Sequence, residues 1–406
     1  MWFTGIDWAD THHDVVVLDH EGALCLRLRI DHTAAGVASL ITRLRALTGP
    51  DHQDEMICVL ETKTNLLVTA LLKANFVPYP INPKTVDRWR PVSGAKSDLL
   101  DAYTLAKIAR SDWRDLRPLH LPEQGLQELQ LLVRDQQGLI GAQTRLANQL
   151  RACLKAYYPV VLDAFDKGTT LQKSLLAFIV AYPTPEQARQ ASVEELTQIF
   201  KQARHPHPLP CAQRVWPLLQ QPHLEASAAV VHAKSRLAQT LVAQLHTLMA
   251  QIHDYDLAIE ELYQQQDEYE VFASLPNSGK RLGPRLLAEL AVIDPHEATV
   301  AVAQQLAGTA PVTKQSGNSR YVVQRQACSK TLRATVYLLA AESCKNISWA
   351  RAYHDQKKKQ GKKSATIFRG LANTWLRIIW AMRRKKETYQ EDTFVQAQAR
   401  HAPAAA

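Results

Sequence analysis

The chain has 406 residues, 46% of them hydrophobic and 21% charged, with a formal net charge of +9. That length allows two or three domains with real cores, and the basic balance favours a polyanionic partner, nucleic acid above all. No apolar run is long enough to span a bilayer, the start MWFTGIDWAD is no signal peptide, and the six cysteines form no CxxC pair, which argues against membrane spans, a zinc site and a disulfide framework.

In chain order, MWFTGID is a short apolar run that reads as a strand ending in Asp7. HDVVVLDHEGALCLRLRI follows as two strand-like segments joined at His20-Glu21-Gly22, a hairpin signal. HTAAGVASLITRLRAL has helical spacing, MICVLE reads as a buried strand ending in Glu61, TNLLVTALLKA as a helix and FVPYPIN as a strand. AKSDLLDAYTLAK closes the block as a helix whose Asp98 and Asp101, three apart, share one face. Three strands, helix, strand, helix, strand, helix is the order of a ribonuclease-H-like α/β domain, expected over residues 1–115.

Residues 116–268 read as helical. Leu241, Leu245, Leu248, Ile252, Tyr255, Ile259 and Leu262 alternate spacings of four and three, an a/d seam over three heptads. This predicts a coiled coil and a homo-dimer or tetramer built through it, or else a helix pair packed inside one chain. A Pro-punctuated insert at about 168–222 holds a capping box, Ser192 with Glu195, and the loop HPHPLP. His205 and His207 in that loop read as a solvated turn rather than as metal ligands.

From 269 to 392 a third block begins with LPNSGKRLGPRLLAEL, where Gly279 and Gly283 mark a tight turn between helices that could offer N–H groups to a phosphate. QLAGTAPVTKQSGNSR and the helix KTLRATVYLLAAESC follow. Between 345 and 386 thirteen Lys or Arg face one acid, Asp355, a local +12 that exceeds the net charge of the whole chain. Phe368, Trp375 and Trp380 interleave with these charges. Such a one-signed stretch reads as a phosphate-binding surface rather than as a solvated amphipathic helix. Candidate nucleic-acid contacts are Lys280, Arg281, Lys314, Arg320, Lys357, Lys358, Lys359, Lys362 and Lys363. Residues 393–406 read as a disordered tail.

Asp7 and Glu61 end strands that are neighbours in a ribonuclease-H-like sheet, and the helix carrying Asp98 and Asp101 packs across their ends. Four converging carboxylates repel unless a cation lies among them. Mg²⁺, which takes a few carboxylates and phosphate oxygens, suits such a group, and in pairs such ions serve phosphoryl transfer. His12 and His13 read as strand-edge residues, and Asp10 and Asp14 as bystanders.

TGIDWADTHHDVVVLD, VLETKTNLL, PINPKTVDRWR and SGAKSDLLDAYTLA, with the later LPNSGKRLGPRLLAEL, LAGTAPVTKQSG and KTLRATVYLLA, resemble the DEDD transposases of the IS-one-ten insertion sequences and their Piv-type invertase relatives. The likeness covers about 1–110 and 270–345. It implies a RuvC-like N-terminal domain and a C-terminal transposase domain, mostly α-helical, which with the coiled-coil middle read from periodicity make a multi-domain protein. It implies that Asp7, Glu61, Asp98 and Asp101 bind Mg²⁺. It implies that Ser316, before Gly317, attacks DNA to form a phosphoserine link, with Ser319 the nearest decoy. It also implies a structured bridge RNA that pairs with donor and target DNA, and composite sites in dimers of dimers. The scattered cysteines read as a reducing, cytoplasmic setting, nucleoid-associated in a prokaryote. The stretch PNSG departs from the family's PGIG-like pattern at Asn277 and Ser278. The residues leave open a metal-dependent junction nuclease with an inert Ser316, a site-specific invertase, and a non-catalytic nucleic-acid scaffold.

Overall fold

Alternation along the N-terminal strands divides their side chains between two cores. In the computed structural model, which describes residues 1–49, 51–62, 65–89, 97–119, 122–165, 171–394 and 396, the chain divides into two compact units, Met1–Leu121 and Pro122–Ala406.

The first unit is a five-stranded sheet in the order β3-β2-β1-β4-β5. β1 (Trp2–Trp8), β2 (His12–Leu18) and β3 (Leu24–Asp31) form an antiparallel meander, while β4 (Met56–Leu60) and β5 (Pro78–Pro80) run parallel to β1. The β2–β3 turn is held by Asp19, whose Oδ1 accepts from the N–H groups of Glu21, Gly22 and Ala23. Ile6, Val15, Val17, Met56, Cys58 and Leu60 face one core with α1 (Ala34–Thr48) and α2 (Leu66–Lys73). Phe3, Val16, Ile57 and Val59 face the other, with the short α3 (Pro83–Val86) and with α4 (Asp98–Asp112). The period of two is what sets these faces. The predicted strand and helix order therefore stands.

Among its described residues, the second unit is helical except for one hairpin. α5 (Gln124–Tyr157) and α11 (Ala228–Gln264) lie antiparallel, with Gln136 bonded to Asp256 and Cys153 to the carbonyl of Lys234. Between them the insert contributes α6 (Pro159–Ala164), α7 (Lys173–Ala181), α8 (Pro185–Arg189), α9 (Val193–Gln202) and α10 (Pro208–Gln220). The capping box of Ser192 and Glu195 forms at the start of α9. Of the heptad seam, Leu241, Leu245, Ile252 and Ile259 are buried inside the chain, the first two in a core with Leu150 and Leu154 of α5. The seam thus closes a helix pair within one chain, and these four side chains are not free for a second copy.

The remaining elements are α12 (Tyr269–Ala273), α13 (Gly279–Leu290), α14 (Val300–Leu306), β6 (Val312–Ser316), β7 (Ser319–Val323), α15 (Lys330–Asn346), α16 (Ser348–Lys359) and α17 (Ser364–Lys385). Trp375 is fully buried, its indole N–H donating to Ser343 Oγ at 2.9 Å, and Trp380 is 4% exposed. The aromatic residues that interleave with charge in the sequence therefore form the inner face of α17. Phe394 packs on Trp349, with ring centroids 4.4 Å apart. Most of the expected tail, 395 and 397–406, lies outside the described residues.

Candidate active site: an acidic row under a helix

One face of the sheet carries a row of charged residues across four strands. Register pairs Asp7 of β1 with Asp14 of β2, and Asp14 with Arg29 of β3. Ile6 pairs with Leu60 of β4, so Glu61, one residue past β4, continues the row beside Asp7. Odd positions of β1 face α4, which places Asp7 on the same face as Gly5 and Phe3.

Helix α4 crosses this face because Gly5 has no side chain. A Cβ there would collide with the carbonyl oxygen of Ala102 and the amide of Ala106. The helix begins at Ser97, whose hydroxyl accepts the N–H of Leu100 at 3.3 Å. Its first turn bears Asp98 and Asp101, an orientation that the helix dipole favours. Asp101 is 8% exposed.

Asp7 feels the result. Burial, and after it the negative charges of Asp101, Asp98, Glu61 and Asp14, push its carboxyl up to about 6. Three of these four carboxylates, Asp101, Asp98 and Glu61, are the ones that the sequence groups with Asp7, and Asp14 is a further one. A hard divalent cation held by Asp7, Glu61, Asp98 and Asp101 would relieve that repulsion, and oxygen donors are what Mg²⁺ takes.

Asp14 is not a bystander. It is 4% exposed and takes two hydrogen bonds from Arg29, from Nε at 3.1 Å and from Nη2 at 2.7 Å. The same guanidinium stands 3.5 Å from Asp98, as does His12 Nε2. His12, Asp14 and Asp98 thereby bring ligand atoms within 4.8 Å of one another. Arg29 already supplies the cation there, which leaves the Asp7 side of the row as the better place for a metal. His13 is not a strand-edge residue either: it is fully buried, with Nε2 2.8 Å from His32 Nδ1. Residues 90–96 ahead of Ser97, part of two of the family-like motifs, lie outside the described residues.

The second unit holds Ser316. It ends β6, and the two-residue loop Gly317-Asn318 returns the chain to β7 with Ser319 directly opposite. Gly317 takes φ 55°, the positive value that the first position of a type II′ turn requires. The hairpin is missing from the sequence reading, although Gly-Asn between VTKQS and SRYVV is its signal. Both serines are exposed, and Lys314, Arg320 and Tyr321 beside them are exposed as well.

The other predicted contacts divide. Lys280 is exposed, whereas Arg281 donates to both oxygens of Asp256, at 2.7 and 2.6 Å, so part of its charge is spent inside the chain. Gly283 lies within α13, packed on the Tyr263 ring, and the turn itself is made by Asn277 (φ 57°) and Gly279 (φ 49°). Asn277 is tied inward, donating to the Glu342 carbonyl at 3.0 Å and accepting from Asn346 at 2.8 Å. Lys358, Lys359, Lys362 and Lys363 are exposed around the end of α16, and Lys357 is half-buried over the Tyr353 ring.

A family model described as "Transposase" matches residues 4–159, and one described as "Transposase IS116/IS110/IS902 family" matches 269–355. The chain is 30% identical over 381 residues, 92% of each chain, to the "Mini-circle putative transposase for IS117" of Streptomyces coelicolor. The chain belongs to the IS110/IS116 family of transposases. An insertion-element protein of Streptomyces clavuligerus, from IS116, is 28% identical over 95% of this chain and 96% of its own length. One from IS900 of Mycobacterium paratuberculosis is 25% identical over 96% of this chain and 98% of its own length. Membership of this transposase family implies DNA as substrate and the cutting and rejoining of its strands. The two matched segments of the transposase hold the acidic row and Ser316 respectively. No helix among its described residues is long and apolar enough to cross a membrane.

Proposed function

We propose that this transposase moves DNA through a covalent phosphoserine intermediate, with the acidic row as a Mg²⁺ site and Ser316 as the nucleophile. The observation that carries the reading is Asp7 set among Asp101, Asp98 and Glu61 with its carboxyl raised to about 6. On this reading the first unit is a RuvC-like, ribonuclease-H-like domain.

A serine hydroxyl is a weak nucleophile until it is activated. Bound Mg²⁺ would supply charge stabilisation and lower the pKa of an oxygen nucleophile. Ser316 Oγ loses its proton and forms the bond to phosphorus as the bond from phosphorus to the leaving sugar oxygen breaks, and that oxygen takes up a proton. Attack by a second strand's hydroxyl reverses the step, so the phosphodiester is conserved and no nucleotide is consumed. The exposed Lys358, Lys359, Lys362 and Lys363, and Lys357 beside them, with Lys280, Lys314, Arg320 and the free part of Arg281, would hold phosphate backbones. A structured RNA encoded beside the gene would pair with donor and target DNA, and a dimer or tetramer would bring the sites together.

The test is a denaturing gel of protein incubated with Mg²⁺, the adjacent RNA and element-end DNA. A DNA–protein adduct lost in Ser316→Ala and in Asp98→Ala supports the proposal. Mg²⁺-dependent cleavage that yields no adduct and survives Ser316→Ala would leave a junction nuclease in its place.

A further inference from the structure

The β6–β7 register separates residues that the sequence lists side by side. In an antiparallel pair, directly opposite residues share a face, and faces alternate along each strand. Ser316 faces Ser319, Gln315 faces Arg320, and Lys314 faces Tyr321. Ser316, Ser319, Lys314 and Tyr321 therefore stand on one face of the ribbon, and Gln315 and Arg320 on the other.

The ribbon is also exposed. Its burial is slight along both strands, with Tyr321 53% and Val322 62% exposed. A two-stranded ribbon is marginal alone in water and fits the major groove of duplex DNA. Their backbones pair with each other across the ladder, but among the described residues neither the Lys314 nor the Tyr321 side chain has a hydrogen-bond, ion-pair or ring partner. Their two polar ends are free for a ligand.

We propose that Lys314 and Tyr321 form one working face with Ser316: Lys314 holds a non-bridging oxygen of the scissile phosphate, and Tyr321 packs on the sugar next to it. This rests on Ser316 being the nucleophile. The rise along a strand, about 3.4 Å per residue, puts Lys314 about 7 Å from Ser316, which its four-carbon stem spans toward a phosphate at the serine. The ammonium is a compact charge suited to a phosphoryl oxygen that gains charge as the Oγ–P bond forms. The phenol ring offers an apolar face to sugar and a hydroxyl to water. Arg320, on the far face, is left to bind a phosphate elsewhere on the duplex, so the two cations differ in role.

The test is single-turnover adduct formation with element-end duplex and the adjacent RNA, at saturating DNA, alongside DNA affinity and melting temperature. Lys314→Ala is expected to slow adduct formation on the order of 100-fold, with affinity changed by less than about threefold and melting unchanged. Lys314→Arg restores part of the rate. Tyr321→Ala slows it on the order of tenfold, and Tyr321→Phe hardly at all, since packing rather than the hydroxyl carries the effect. Gln315→Ala leaves the rate unchanged, and Arg320→Ala raises the DNA dissociation constant. Equal losses from Lys314→Ala and Gln315→Ala, or a Lys314→Ala effect confined to affinity, would overturn the proposal while adducts lost in Ser316→Ala keep Ser316 as nucleophile. An adduct that survives Ser316→Ala, or no adduct in the wild type, removes the nucleophile itself and this proposal with it.

Discussion

Gly5 of β1 lies directly under Ala102 of α4, so close that a single methyl at Gly5 would overlap the Ala102 carbonyl oxygen. This contact sets how near Asp98 and Asp101 come to Asp7. Gly5→Ala must lift the helix from the sheet. We expect it to cost about 1–3 kcal/mol, the usual range for overpacking a buried site. On the proposed Mg²⁺ site it should also weaken binding of that ion, because Asp98 and Asp101 ride on α4. Chemical denaturation and calorimetric Mg²⁺ titration measure the two effects. An unchanged Mg²⁺ affinity would detach α4 from the metal site.

The raised Asp7 carboxyl gives a signed pH dependence. Its folded value is about 6 against an ordinary 3.8. The folded state therefore binds more protons between those values, and stability without divalent cation falls as pH rises through that window. Asp7→Asn removes the charge. The variant should melt above the wild type at pH 8 in EDTA, and the gap should close near pH 4. Adding Mg²⁺ should raise the melting temperature of the wild type more than that of the variant. Below pH 6 a proton competes at Asp7, and wild-type Mg²⁺ affinity should fall by up to about tenfold per pH unit.

The basic stretch separates into exposed and core positions. Replacing Lys358, Lys359, Lys362 and Lys363 with Ala should weaken nucleic-acid binding without lowering the melting temperature. If all four touch duplex phosphates, the salt-dependence slope should drop by up to about 3.6, at roughly 0.9 per contact. Trp375→Ala should instead cost about 3–5 kcal/mol, as deletion of a buried aromatic does. Salt titrations of binding and denaturant melts tell the two classes apart.

Much of the first unit was legible because a sheet buried on both faces writes its alternation and its apolar runs into the sequence, as in HHDVVVL and MICVL. Asp7, Glu61, Asp98 and Asp101 could be found because strand ends and a helix start are local signals. Arg29 was invisible: its partner Asp14 is fifteen positions away, and only strand register joins them. Gly5 has no periodicity of its own, and its role exists only once a helix lies above it. The heptad seam was real, but periodicity tells which helix face is apolar and not whether the covering helix comes from the same chain. Ser316 was singled out through the family likeness, whereas the hairpin that carries it needed the Gly-Asn pair to be weighed against flanking residues exposed on both faces.

The most direct measurement is mass spectrometry of the DNA-linked peptide from wild-type protein, digested after reaction in Mg²⁺ or in EDTA. Ser316 and Ser319 face each other across the turn, so exposure and face do not separate them, and the site of attachment does. We predict a nucleotide on Ser316 when Mg²⁺ is present and no linked peptide in EDTA. A nucleotide on Ser319, or cut DNA with every serine unmodified, would contradict the account.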